Sequence, residues 1–230
     1  YDGSADVTLT ADKLTFFSKT ANIKLPDTAL SFSDAQFTSK QEDGSYLPSP
    51  EAGDGKALSF TMTLTSKNYV FEGESEGTTE VSDVFATDDV NRFTITKAAA
   101  PTMQPIELTV INGLAKTYLV NLPALPTLGD NCKYGSIKYE ACNFDLIGEG
   151  GYANSTAMIT SNDEFQLTVP AVESQTEGSV GTVGVKITTD NYQDMLLTVE
   201  VIAKNKIVPV LDGEITATPI TFGQILRVST

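Results

Sequence analysis

Thirty carboxylates, two cysteines and no histidine bound the chemistry open to this 230-residue chain. Ser-His and Cys-His catalysis need an imidazole to take the proton, so neither can be assembled within it. The commonest transition-metal ligand is missing for the same reason. Cys132 and Cys142 lie in one segment, NCKYGSIKYEAC. A pair of thiols without a third or fourth ligand cannot close a zinc site. Two readings stay open for them. One is a disulfide, worth about 2–3 kcal/mol on the chain-entropy model. The other is a pair of free thiols buried as small hydrophobes.

The acids are spread along the chain, and residues 72–89 hold seven carboxylates and no base. Calcium takes about six to eight oxygen ligands, and Asp88, Asp89 and Asn91 form the tightest candidate cluster. Their spacing is not that of an EF-hand loop, and Glu-Gly-Glu-Ser-Glu-Gly over 72–77 reads as a solvated charged stretch. No cofactor is therefore expected. Glycoside hydrolysis needs two acids held at a fixed separation in a cleft; the sequence singles out no such pair. Gly148-Glu149-Gly150-Gly151 and the glycines of 178–184 lack the following Lys-Ser/Thr of a phosphate loop and read as turns. No enzyme is expected.

The elements that position these residues show a duplication. Residues 62–69 read MTLTSKNY and residues 185–192 read VKITTDNY, so Asn68-Tyr69 and Asn191-Tyr192 stand 191 − 68 = 123 positions apart. Each is followed by a strand-like run and a proline: FTITKAAAP at 93–101 and LLTVEVIAKNKIVP at 196–209. Thr, Val, Ile and Phe alternate with polar residues, which favours strands. The reading is an all-β protein of two immunoglobulin-like β-sandwich modules in tandem, over 1–98 and 103–206, with 207–230 opening a further repeat. Tyr69 and Tyr192 are expected to be structural corners, each ring buried at a strand end of its own module. Asn112-Gly113, between alternating runs at 105–111 and 115–122, predicts a β-hairpin. Runs at 133–140 and 143–147 predict two short strands, and 72–89 an acidic insertion.

The opening Tyr1-Asp2-Gly3, the run TLTADKLTF, the late Asn-Tyr and the closing TITKAAAP resemble the YDG-type repeat of bacterial surface proteins. The second stretch, ending DNYQDMLLTVEVIAKNK, resembles the Ig-like repeats that alternate with such units in large secreted proteins of Gram-positive gut bacteria. ATPITFGQIL, with Phe222-Gly223-Gln224, resembles the start of another repeat. The resemblance implies an extracellular, cell-wall-attached array with a stalk or adhesive role. Its implied partners are neighbouring repeats and an unknown surface ligand, protein or glycan. A carbohydrate-binding module of a secreted glycan-degrading enzyme is the alternative. The formal charge of −15 disfavours a nucleic-acid backbone or an anionic membrane surface as partner. No run approaches the length of a membrane-spanning helix.

Overall fold

The computed structural model describes residues 1–10, 26–71, 74–75, 78–85, 93–147, 149–173 and 176–207. Asp88, Asp89 and Asn91, and all of 208–230, lie outside them. Among the described residues there are twelve β-strands, two short 3-10 turns and no α-helix. The all-β expectation holds, and it follows from side-chain alternation. β12 (Met195–Lys204) alternates buried and less buried positions along its whole length, as a strand with one face in a core must.

The N-terminal sheet contains β1 (Leu30–Lys40), β2 (Tyr46–Pro48), β3 (Gly53–Leu64), β4 (Glu80–Phe85) and β5 (Phe93–Ile95), in the order β2-β1-β3-β4, with β5 also on β3. β5 continues the line of β4, since Leu58 faces Phe85 and Lys56 faces Phe93. Among the described residues its buried cluster is Ala35, Leu58, Phe60 and Met62. Phe60 stacks on Phe85 at 4.2 Å and meets Phe32 edge-on at 5.5 Å. The segment around Asp6 runs along β1, where Val7 N donates to Ala35 O and Phe37 N to Ala5 O, both at 2.8 Å.

The C-terminal body contains β6 (Ile106–Ile111), β7 (Lys116–Asn121), β8 (Ile137–Leu146), β9 (Thr156–Ile159), β10 (Glu164–Val169), β11 (Gly178–Thr189) and β12. A four-stranded sheet, β6-β12-β11-β8, and a three-stranded sheet, β7-β10-β9, enclose one core. Phe165 and Leu167 of β10 meet Val183, Val185 and Ile187 of β11 and Leu197, Val199 and Val201 of β12, none more than 1% exposed.

The structure corrects three local expectations. Asn112-Gly113 does not close a hairpin: β6 pairs in parallel with β12 and β7 pairs with β10, so the turn carries the chain from one sheet to the other. The reason lies in the Asn112 side chain, which is buried. Its Nδ2 donates to Thr176 O at 3.0 Å and to Asn205 Oδ1 at 2.8 Å, and its Oδ1 accepts from the Tyr152 hydroxyl. Residues 137–146 form one strand rather than two, because Asn143, at φ 49°, accommodates an irregularity without ending the ladder. Residues 80–85, inside the acidic stretch, are a strand: Val81, Val84 and Phe85 are half-buried along β3, while Glu80 and Asp83 are exposed.

β3 and β11 share backbone details. β3 and β11 are twelve residues each, and each opens on a glycine at positive φ, 145° at Gly53 and 127° at Gly178. Each also slips register near its start. Further along β11, Gly181 sits at φ 119° against β8, where an added Cβ would fall 2.0 Å from Asp145 O. Gly181→Ala should therefore cost about 2–4 kcal/mol, from positive-φ strain plus overpacking. Gly44→Ala, at φ 86° with nothing within 4 Å, should cost about 1–2 kcal/mol from strain alone. Urea unfolding midpoints measure both. Equal losses would mean that β8 and β11 do not approach so closely.

Candidate functional site

Residues 190–194 join β11 to β12 at the pole that faces the N-terminal sheet. Thr189 fixes the turn with one hydroxyl: Oγ1 accepts from Tyr192 N at 3.1 Å and donates to Tyr192 O at 3.2 Å. Asp190 accepts from Ser136 N at 2.7 Å. Gly135, at φ 75°, lets the 134–136 loop come so close that a Cβ there would sit 2.7 Å from Asp190. The backbone and side-chain hydrogen bonds from Ser136 hold the Asp190 carboxyl below its usual range, with Lys97 and Lys138 adding to the effect.

This turn presents Asn191, which is 0% exposed. Its Oδ1 accepts from Ala52 N at 2.8 Å. Its Nδ2 donates to Glu51 Oε2 and to Lys133 O, the latter at 3.0 Å. Its backbone O accepts from Ala98 N, and Gln193 N donates to Ala98 O, both at 2.9 Å. These last two bonds make a parallel bridge between Ala98 and Tyr192. A carboxamide offers one acceptor oxygen and two donor hydrogens. All three functions are used here, and two of the partners belong to the N-terminal body.

Aromatic packing closes the seam. The buried Tyr192 ring meets Tyr1 edge-on at 5.7 Å and Tyr134 at 5.2 Å. Burial, then a hydrogen bond with Cys132, pushes the Tyr192 hydroxyl up to about 12. Tyr1 is itself held on both sides: its N donates to Thr96 O at 2.8 Å, and its hydroxyl accepts from Lys133 N at 2.9 Å. A Cβ on Gly3, at φ 80°, would lie 2.8 Å from the Asn131 backbone. Lys97 Nζ donates to Thr189 O at 2.6 Å. Beneath Glu51, Lys56 is buried, and its Nζ donates to Ser49 Oγ at 2.7 Å and Ser39 Oγ at 3.0 Å. Burial pushes that amine down, and the charge of Glu51 opposes the shift.

The expected corners separate here. Tyr192 is buried, but at the seam between bodies and not within its own core cluster. Tyr69 is half-buried, and Asn68 beside it is exposed. The disulfide is not formed: Cys132 and Cys142 are both free. Cys132 lies at the seam, its Sγ donating to Asp2 O at 3.3 Å. Cys142 lies opposite Gly184, five strand residues from the seam end of β11. Five extended residues span about 17 Å, far beyond the ~7 Å Cα limit for a bridge. Among the described residues no group of three or more acidic, cysteine or histidine side chains could hold a metal. Glu51, Ala52, Ala98 and Asp190 were not legible as site residues. The doubled Asn-Tyr was the one signal that pointed here.

No protein-family model matches this sequence, and no curated protein matches it. Among solved structures, an endo-fucoidan hydrolase from glycoside hydrolase family 107 superposes with a TM-score of 0.29 and 13% identity, over 78% of this chain. The match spans 24% of that enzyme's chain. At that score the likeness carries no argument.

Two outcomes follow from this geometry. Asn191→Ala removes the partner of Ala52 N and Lys133 O, and should cost about 1–3 kcal/mol. In calorimetry it should split one unfolding transition into two; a single, unshifted transition would contradict the seam. The second concerns alkaline pH. The folded state holds the Tyr192 proton at about 12 against an ordinary 10.0, so the stability this contributes is complete below about pH 10. It is lost as pH rises through about 12. Ultraviolet titration should show a late-ionising component that Tyr192→Phe removes, together with seam opening. Uniform ionisation near 10 would contradict its burial.

Proposed function

We propose that this protein is a non-catalytic spacer, in which two immunoglobulin-like β-sandwich modules, 1–98 and 103–206, are locked end to end within a tandem-repeat cell-surface protein. It serves as stalk or adhesive module and holds its neighbours at a set distance and angle. The seven strands of the C-terminal body, split four and three around one core, support the sandwich assignment. The matched openings of β3 and β11 support a relation between the modules.

The observation that carries the reading is the complete enclosure of Asn191. A hinge leaves its polar groups to water. Here the carboxamide, the Ala98 backbone and three tyrosine rings are consumed across the joint, so bending must break them. The charge of −15 adds self-repulsion, which suits an extended array and keeps copies from collapsing together. Extracellular placement follows from the resemblance to surface repeats. Among the described residues the exposed aromatic rings are Phe93 and Phe144, one on each body, so they offer a sugar no shared plane.

Residual dipolar couplings of the amides test this directly. A spacer gives one alignment tensor for both bodies, and Asn191→Ala should give two. Independent tensors in the unaltered chain would overturn the spacer reading. So would specific retention of a glycan that also protects surface residues from exchange, in favour of the sugar-binding alternative.

A further inference from the structure

β8 closes one side of the four-stranded sheet. Among the described residues it pairs with β11 and with no strand beyond. An edge strand keeps a row of backbone N–H and C=O groups that a further strand can pair. The register of β8 on β11 runs unbroken from Ile137 to Cys142, before the irregularity at Asn143. Along that run Tyr139 and Ala141 pack toward the core, and Lys138 and Glu140 are exposed. The neighbouring charges on the β11 side are already engaged. Glu140 lies opposite Lys186, which pairs with Asp194 at 2.8 Å. Lys138 lies opposite Thr188, and the nearby Asp190 carboxylate accepts from Ser136 N at 2.7 Å.

Whether such an edge accepts an identical one is decided by charge. Two copies of β8, brought together antiparallel about a two-fold axis at Tyr139, set Lys138 of each copy opposite Glu140 of the other. Side chains on one face must stay on that face, so the register can slip only by two residues. A slip one way sets Lys138 against Lys138, and a slip the other way sets Glu140 against Glu140. Like charges directly opposite are destabilising, so one register alone attracts. The other edges among the described residues lack this pattern. β4 carries acids only, Glu80 and Asp83, and β6 and β7 carry one charge each, Glu107 and Lys116. β9 carries none, and β2 is three residues ending on Pro48.

We propose that β8 is a self-recognition edge, through which two copies of this chain pair antiparallel over Ile137–Ala141. The two four-stranded sheets then form one continuous sheet in the order β6-β12-β11-β8-β8-β11-β12-β6. The contact is isologous, so it closes at a dimer. The backbone ladder supplies the attraction, and the crossed Lys138–Glu140 pairs fix partner and register. Ile137, 41% exposed in the single chain, comes to lie beside Ala141 of the other copy. The inference stands apart from the spacer reading, since β8 lies wholly in the C-terminal body.

Sedimentation equilibrium of the full chain, from micromolar to millimolar, tests this. The weight-average mass should rise with concentration and level at the dimer. Lys138→Glu makes the edge acidic throughout, and Glu140→Lys makes it basic throughout. Each alone should weaken self-association by about tenfold or more, with circular dichroism confirming the fold. Mixed in equal amounts, the two variants should assemble with each other, because every facing pair is then opposite in charge. The chain carrying both substitutions should dimerise as the unaltered chain does. A chain that stays monomeric at millimolar concentration overturns the proposal. So does growth past the dimer, association that ignores both substitutions, or a mixture that stays apart. A monomeric chain that keeps a single alignment tensor leaves the spacer reading intact and removes only this inference.

Discussion

A fully buried carboxamide must find partners for every donor and acceptor it has, and Asn191 finds them in two different bodies. That requirement organises the middle of the molecule. Ala52 N has to arrive before β3, Lys133 O before β8, and Ala98 after β5, all at one point. The close backbone approaches at Gly3 and Gly135 follow from it, because only a residue without Cβ lets those segments come near enough. Leaving one buried polar partner unmet costs about 1–3 kcal/mol, so the seam holds together or fails as a unit.

The two bodies contribute unequally to that balance. Among the described residues, seventeen buried side chains form the C-terminal core and four form the N-terminal one. Burial of apolar area is the main favourable term in folding, and small cores are marginal. The seam adds to the stability of the N-terminal sheet. Its segments 1–3, 51–52 and 96–98 are held there by contacts that its own core does not supply. Rigidity and stability come from the same bonds.

Alternation of side chains along β10, β11 and β12 made the all-β fold legible, because period-two burial is written directly in residue order. The strand at 80–85 was hidden among its charges, since the exposed Asp83 stands between Val81 and Phe85 in the row opposite Met62, Phe60 and Leu58. Asn112-Gly113 has the local chemistry of a tight hairpin. A contact forty residues away, from the Tyr152 hydroxyl to Asn112, gives the turn a different use. The Asn-Tyr repeat marked the important place but not its role. Whether a corner tyrosine faces its own core or a neighbour depends on what arrives from elsewhere in the chain, and Tyr1 stands 191 residues before Tyr192.

The seam is a closed, bonded joint and not a chance apposition. Amide hydrogen exchange at Ala52, Ala98 and Gln193 tests it most directly. None of the three lies within a strand, yet each N–H is bonded across the seam. Protection of all three comparable to that of Val183 and Val185 in β11, lost together under mild denaturant, is what a cooperative joint gives. Exchange at the rate of the exposed turn at Glu42–Gly44, while β11 stays protected, would show that the two bodies touch without being joined.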